Sequence, residues 1–235
     1  MQNSIKHLST KFDKYGYVFL RKTISSQKLK KLEKKLFLIY SKVLSVNINS
    51  KNFSNIIHNF EKNKRYETLY SAYKKFIKCN EFKDIAILIQ KLSRKFYCKK
   101  AKLLKTGVAI GLNNSSRTSY KWHQEKSYYN NFTTLHYQFP ILNKCSKNNG
   151  TMSFLAKSHK SGFIKETRAI KKGKSHISSY VPKNTSILKK KYKIKYAQMD
   201  LRDVVMFNEN IIHKSNPNLT NKIRLAGIIR LKCKN

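Results

Sequence analysis

The sequence predicts a mostly β fold with helices packed on its outside, and two observations lead to this prediction. Over about the first hundred residues, apolar side chains recur every three or four positions, which is the spacing of one helix face. From about residue 101, short apolar stretches alternate with Gly, Asn and Ser, which is typical of a double-stranded β-helix, the jelly roll of the cupin type. We therefore expect one domain over residues 1–235, with supporting helices over 1–100 and the jelly roll over 101–235.

The N-terminal part begins with a predicted strand at residues 16–20, inside a stretch of alternating apolar and polar side chains. Ser25 or Ser26 then offers a side-chain cap for a first helix. Two more helices are predicted, one over residues 66–77 and one capped by Asn80, with an apolar face over residues 82–96. Their aromatic side chains stand at helical spacing, which favours a core role over nucleic-acid stacking.

The jelly-roll part contains seven strand candidates separated by turn residues. They are residues 103–111, 118–128, 132–142, 151–155, 194–199, 203–208 and 223–231. Residues 164–193 are rich in Lys, Ser and Gly, and we expect them to form a long excursion over the mouth of the jelly roll, either a lid or a disordered segment.

Chemistry-bearing residues are concentrated in four short motifs of the second half: Trp122-His123-Gln124-Glu125, Asn149-Gly150-Thr151, His213-Lys214-Ser215, and Arg224. On a strand, His123 and Glu125 would point to the same face, since strand side chains alternate. With His213 they make two imidazoles and one carboxylate, the ligand set that leaves open positions on non-haem Fe(II). Two His and one Glu also occur in hydrolytic zinc sites, but the His-Glu-x-x-His motif typical of those sites is absent.

These motifs make the chain resemble the phytanoyl-CoA dioxygenase family of Fe(II)- and 2-oxoglutarate-dependent oxygenases. The family pattern is F-x-x-x-G-Y-V, then W-H-Q-D, N-G, G-S-H, G-D, H-x-S, and an Arg about eleven residues later. The matching segments here are residues 12–18, 122–125, 149–150, 157–159, 202–204 and 213–215, followed by Arg224. The chain departs from the pattern at Glu125, which replaces Asp, at Ala156-Lys157, which replace Pro-Gly, and at Arg202, which replaces Gly.

The resemblance implies a role for each site residue. His123, Glu125 and His213 are the expected iron ligands and catalytic centre. The co-substrate 2-oxoglutarate is expected to be held at its distal carboxylate by Arg224 and Ser215, with contacts from Gln124 and Phe139, while Trp122 walls the site. For Gln124 strand alternation leaves an outward-facing position open, and for Phe139 core packing is the competing interpretation.

The expected function is hydroxylation of a C–H bond of a small-molecule, lipid or sugar-type metabolite with O2. Glu125 supports hydroxylation, because a halogenase relative would lack this carboxylate. One alternative is a nucleic-acid demethylase of the same superfamily, supported by the Arg224–Arg230 spacing and the positive charge. Another is a non-catalytic basic binding protein.

Charge and cysteine content constrain partners and compartment. The chain has 51 Lys and Arg against 11 Asp and Glu, a net charge of +40. The lysines are dispersed, so we expect solvated faces and only non-specific nucleic-acid binding. No run approaches the roughly 18 apolar residues of a membrane span, and no signal peptide is recognised, so we expect a cytoplasmic protein. The four cysteines lie far apart without a C-x-x-C pair, and we expect structural thiols.

Overall fold

The computed structural model of the chain describes residues 2–115, 118, 120–129, 131–169 and 179–233. Its strands are β1 (Tyr17–Leu20), β2 (Lys102–Gly111), β3 (Thr133–Pro140), β4 (Met152–Leu155), β5 (Glu166–Ala169), β6 (Ser179–Pro182), β7 (Ile194–Tyr196), β8 (Val204–Asn208), β9 (His213–Ser215) and β10 (Arg224–Cys233). Its helices are α1 (Gln2–Tyr15), α2 (Ser26–Leu44), α3 (Phe53–Lys62), α4 (Tyr66–Phe76), α5 (Asn80–Phe96) and α6 (Thr185–Lys191).

The strands form a five-stranded sheet in the order β1-β8-β3-β10-β2, a three-stranded sheet in the order β7-β4-β9, and the hairpin β5-β6. Every strand pair is antiparallel. The two larger sheets share a buried cluster in which Met152 and Phe154 of β4 join Val205 and Phe207 of β8 and Ala226 of β10. The predicted fold class, a jelly roll with helices outside it, is confirmed.

The helices cover the other face of the five-stranded sheet. Strand alternation gives β3 two faces, and Leu135, Tyr137 and Phe139 all lie in the helix-facing core. The intervening residues, among them His136 and Gln138, therefore face the space between the two sheets. The same alternation applies to β10. The residues that face the helices are Leu225, Ile229 and Leu231. The residues on the opposite face are Arg224, Ala226, Ile228 and Arg230.

The helix predictions are confirmed where capping and apolar spacing agree. Ser25 caps α2 and accepts a hydrogen bond from the Lys28 amide at 3.2 Å. Helix α5 is present as predicted, but Asn80, the expected cap, is its first residue and the cap position is Cys79. Helices α1 and α3 were not predicted. None of the helices among the described residues is both long and apolar enough to cross a membrane.

The predicted strand at residues 118–128 is wrong. In the described part of this segment, His123 makes only an isolated bridge to His213, and Glu125–Tyr128 is a 3₁₀ helix. The 164–193 excursion contains β5, β6 and α6, and residues 170–178 lie outside the described part. The hairpin contacts the 3₁₀ helix, because Ser127 hydrogen-bonds to Glu166 and the Tyr128 and Tyr180 rings lie 5.5 Å apart.

Candidate active site

His123 and His213 are brought together by backbone hydrogen bonds between two segments 90 residues apart (213 − 123). The His123 amide donates to the His213 carbonyl at 2.9 Å, and the His213 amide donates to the His123 carbonyl at 3.0 Å. The two rings lie 4.2 Å apart between centroids, and both side chains are buried. The paired backbone therefore fixes the spacing of the two imidazoles.

Each imidazole is oriented by its own chain. Nδ1 of His123 lies 2.7 Å from the Lys121 carbonyl, and Nδ1 of His213 lies 3.0 Å from the Ile211 carbonyl. Because a carbonyl only accepts, Nδ1 carries a hydrogen in both rings, and Nε2 is the ring atom left for a metal. Burial and the neighbouring His213 lower the pKa of His123 to about 3, so this imidazole is neutral. A neutral ring with a free Nε2 is suited to bind a metal.

Glu125, the first residue of the 3₁₀ helix, supplies the carboxylate. Its Oε1 lies 3.6 Å from Nε2 of His213, and Arg230 places Nε 3.3 Å from Oε2 and Nη2 3.4 Å from Oε1. Burial favours the neutral acid, but the Arg230 guanidinium together with the neighbouring His136 and His213 rings outweighs it and holds the pKa of Glu125 well below its usual range. Glu125 is therefore ionised at neutral pH.

His123, Glu125 and His213 form a group whose ligand atoms all lie within 4.8 Å of one another. It is the one group of three metal-ligating side chains found among the described residues. Two neutral imidazoles and one carboxylate form the donor set of non-haem Fe(II) sites. The predicted triad is thus assembled, although through a bridge and a 3₁₀ helix rather than one strand, and its residues fit an iron ion.

A cavity of about 510 Å³ opens onto this group. Ser215 lines it from the strand face of His213, as the sequence predicted. Its other walls carry tyrosine rings, apolar side chains and two cations. The remaining lining residues are Lys105, Val108, Ala109, Tyr120, Tyr128, Tyr129, Tyr137, Gln138, Met152, Phe207, Ile228 and Arg230.

Arg224 is a buried cation without a carboxylate partner among the described residues. It is 2% exposed, lies outside the cavity lining, and its Nε and Nη1 have no hydrogen-bond partner in the described part of the chain. Burial lowers its pKa, while the Cys145 thiol beside it acts in the opposite sense. Unpaired guanidinium nitrogens are costly in an interior. They fit an anionic group such as the distal carboxylate of 2-oxoglutarate.

Three predicted site residues require correction. The Gln124 amide is used in the protein itself, because Nε2 donates to the Gly162 carbonyl at 2.9 Å and Oε1 accepts from the Ile164 amide at 2.9 Å. Phe139 lies in the helix-facing core, 5.8 Å from the Phe82 ring, since alternation turns it away from Gln138. Trp122 faces away from His123 and packs with Leu155 and Ile212 outside the cavity lining. The neighbouring residue that lines the cavity is Tyr120.

His136 was given no role from the sequence, yet its Nδ1 lies 3.7 Å from Oε2 of Glu125 and its side chain is fully buried. Gln138, on the same face of β3, also lines the cavity, and its Oε1 has no hydrogen-bond partner in the described residues. The signal was present in the predicted strand at residues 132–142, where alternation separates these two side chains from Phe139. A lone histidine on a strand gave no reason to connect it with Glu125.

Comparisons with known proteins identify a family and a shared fold. The profile of one family, described as phytanoyl-CoA dioxygenase, matches residues 12–226. The epimerase SnoN, solved with Fe3+, alpha ketoglutarate and nogalamycin RO, is 11% identical with a TM-score of 0.65, covering 99% of this chain and 85% of SnoN. EctD from S. alaskensis, solved with 2-oxoglutarate and 5-hydroxyectoine, is 14% identical with a TM-score of 0.65, covering 97% and 75%. ThoJ, described as a non-heme monooxygenase, is 15% identical with a TM-score of 0.64, covering 96% and 77%. No curated protein sequence matches.

Proposed function

The chain belongs to the phytanoyl-CoA dioxygenase family of Fe(II)- and 2-oxoglutarate-dependent oxygenases, and we propose that it hydroxylates a C–H bond of a small polar metabolite. The observation that carries this proposal is the triangle of His123, Glu125 and His213 at the wall of the cavity. We treat residues 1–235 as one oxygenase domain, because helices of the first half and strands of the second share one core.

His123, Glu125 and His213 would hold the iron. The hydrogen bonds from Nδ1 of each histidine to backbone carbonyls leave Nε2 as the metal-binding atom, and the lowered pKa of His123 means that no proton has to leave that ring before the metal binds. Glu125 is already ionised beside Arg230. When bound, iron and 2-oxoglutarate together supply the oxidative decarboxylation that activates O2 for attack on a C–H bond.

Arg224 is assigned as the anchor of the distal carboxylate of 2-oxoglutarate. A guanidinium binds a carboxylate through charged hydrogen bonds, and Arg224 has two nitrogens, Nε and Nη1, without a hydrogen-bond partner among the described residues. Ser215 lies on the cavity wall two residues after His213 and offers a hydroxyl donor to the same group. These two residues therefore orient the co-substrate. Arg230 is less suited to bind its carboxylate, because it is already paired with Glu125.

The cavity lining supports a polar substrate. Tyr120 and Tyr128 line it, and burial raises the pKa of both, so their hydroxyls keep their hydrogens. Lys105 stands at the exposed edge, while Ile228 and Phe207 supply apolar surface. A hydroxyl-bearing or acidic small molecule satisfies these groups better than a purely apolar one.

The test is an anaerobic titration of the purified protein with Fe(II) and then 2-oxoglutarate, recording the weak visible charge-transfer band of the chelate. The wild-type protein is expected to give the band, and His123→Ala and His213→Ala are expected to lose it while keeping the wild-type circular dichroism. His159→Ala is the matched control, because His159 bonds to the Asp13 carbonyl away from the triad. A wild-type protein without the band, or a band unchanged in both variants, would contradict the proposal.

A further inference from the structure

The expected metal-binding carboxylate of this chain stands on a longer arm than the family pattern provides. Glu125 has one more methylene, and so one more rotatable bond, than the Asp usual at this position. A carboxylate on a longer arm can take more orientations, and fixing it in one of them costs more side-chain entropy. A side chain that restrains this carboxylate therefore contributes more here than it would beside an Asp.

Arg230 contacts both oxygens of this carboxylate. Its Nε donates to Oε2 of Glu125 at 3.3 Å, and its Nη2 donates to Oε1 at 3.4 Å. The side chains of Arg230 and Glu125 are 18% and 8% exposed, so water competes little for the contact. Two hydrogen bonds from one planar guanidinium fix the plane of the carboxylate, which a single contact does not. Since each carboxylate oxygen has two lone-pair positions, one on each oxygen remains for a metal.

The backbone of β10 presents Arg230 at an irregular point of the sheet. Arg230 is paired with Lys105 on β2, whereas the next residue, Leu231, is paired with Leu103, so the register shifts by one residue between them. A β-bulge of this kind bends the strand locally and often re-aims a side chain beside an active site. Leu231 is fully buried in the helix-facing core, so packing fixes the strand directly after the shift.

His136, on the other side of the carboxylate, has no hydrogen to offer it. The Thr134 hydroxyl donates to Oε2 of Glu209 at 2.8 Å and accepts from Nε2 of His136, 2.7 Å away. The hydrogen of the neutral ring therefore lies on Nε2, and Nδ1, 3.7 Å from Oε2 of Glu125, is not a donor. The restraint on the carboxylate from this part of the site therefore comes from Arg230.

We propose that Arg230 is a positioning residue that holds the Glu125 carboxylate in its metal-binding orientation through the two hydrogen bonds of its guanidinium. This inference rests on the iron site proposed above. The motif pattern of the family ends at Arg224, six residues earlier (230 − 224), so the pattern itself assigns nothing to Arg230. The longer ligand arm and the arginine that restrains it form one unit in this chain.

The experiment measures Co(II) affinity from its visible absorption in wild type, Arg230→Lys and Arg230→Gln. Lys keeps the positive charge without the planar fork, and Gln keeps a donor without the charge. We expect both variants to weaken Co(II) binding by about 10–100-fold, the usual cost of losing an outer-shell partner of a ligand. Arg21→Lys, in the pair with Asp203, is the control for the same substitution beside another carboxylate. Wild-type affinity in Arg230→Lys would show that charge alone suffices and would overturn the role of the fork.

The second arm repeats the comparison in a Glu125→Asp background. The shorter side chain is expected not to place both oxygens on the guanidinium, so Arg230→Lys should then cost much less Co(II) affinity than it does with Glu125. An equal loss in both backgrounds would indicate a merely structural role and overturn the inference. Arg230→Gln leaves Glu125 without its buried counter-ion. If that variant fails to fold, Arg230→Lys still carries the comparison in both backgrounds.

The outcome for the wild type separates the two claims. A wild-type protein that binds no Co(II) overturns the proposed iron site and this inference together. A wild-type protein that binds Co(II), with the same affinity in both Arg230 variants, overturns only the role of Arg230.

Discussion

Two arginines on one face of β10 have different environments, and the sequence alone could not tell them apart. Arg224 and Arg230 are six residues apart (230 − 224) and share the face between the sheets. Arg230 contacts Glu125 with two nitrogens, whereas two nitrogens of Arg224 have no partner in the described part of the chain. The charge of Arg230 is stabilised by Glu125 without any bound ligand. The buried charge of Arg224 has no carboxylate partner among the described residues and would be stabilised by an anionic ligand.

Arg224→Lys is expected to weaken 2-oxoglutarate binding by about 10–100-fold, because Lys cannot form the second parallel charged hydrogen bond, worth about 1.5–3 kcal/mol. Metal affinity should change little, since Arg224 does not contact the triad. The measurement is the KM for 2-oxoglutarate together with the anaerobic titration, and Arg21→Lys, at an exposed arginine paired with the buried Asp203, is the control. An unchanged KM would contradict this role of Arg224 and make Arg230 the next candidate for the anchor of 2-oxoglutarate.

Gln124→Met tests whether Gln124 contacts the co-substrate or supports the fold. The amide donates to the carbonyls of Gly162 and Asn210 and accepts from the Ile164 amide. Met fills similar space but leaves these partners unsatisfied, so we expect a loss of about 2–4 kcal/mol in the free energy of unfolding. The KM for 2-oxoglutarate should stay at the wild-type value. A raised KM with unchanged stability would restore the role inferred from the family pattern.

The buried histidines predict how the metal-free protein responds to acid. Burial lowers the pKa of His123 and of His136 to about 3, against 6.5 for an exposed histidine. Below pH 6.5 the unfolded chain therefore binds protons that the folded protein does not, so stability falls as pH decreases toward 3. At pH 5 the loss is about 2 kcal/mol for each histidine.

Thermal unfolding in EDTA at pH 7.5 and pH 5 measures this loss. His136→Asn is expected to remove about half of the pH dependence, because one of the two titrating groups is gone. A melting temperature that does not change between the two pH values would show that both histidines titrate normally in the folded protein.

At the scale of elements, apolar periodicity predicted the long helices but not the short or turn-like segments. Helix α3 buries only Phe53, Ile57 and Phe60 over ten residues, and its cap residue Asn52 makes no side-chain hydrogen bond, so neither signal was strong. The period-two spacing predicted that the side chains of His123 and Glu125 lie close together. They do, but strand alternation is not the cause. The two residues meet because the His213 bridge ends the extended segment and a 3₁₀ turn carries Glu125 back, which is tertiary information.

Strand β2 offers an element-scale test of the co-substrate pocket. Gly111 is paired with Arg224, and a Cβ added there would stand 3.1 Å from its Nε and 3.3 Å from its Nη2. Gly111→Ala is therefore expected to displace the guanidinium and to raise the KM for 2-oxoglutarate, without loss of Co(II) binding. Gly107→Ala is the matched control on the same strand face, because its nearest neighbour is the Tyr73 hydroxyl at an ordinary 3.4 Å. Equal KM values for the two variants would contradict the placement of Arg224.

At the scale of the whole molecule, three of the scarce carboxylates lie in the interior while the lysines lie mostly outside. Glu125, Asp203 and Glu209 are buried, although the chain has only 11 acidic residues. Asp203 holds Arg21 and the backbone amides of Lys22 and Asp200. Composition alone predicted the dispersed charge, but it could not show which carboxylates are structural and which one is a ligand, because that depends on burial and partners.

The net charge of +40 leads to the last prediction, which also tests the demethylase alternative. Dispersed lysines neutralise phosphates without reading bases, so duplex DNA should bind without sequence preference. Its affinity should fall with salt at a log–log slope of about −0.9 for each phosphate contact. Since such contacts do not involve the triad, neither methylated nor unmodified oligonucleotides should raise 2-oxoglutarate consumption above the uncoupled background at physiological salt. Stimulation by one particular base modification, lost in His213→Ala, would replace the small-molecule proposal with nucleic-acid demethylation, because only a substrate at the iron site can couple the two.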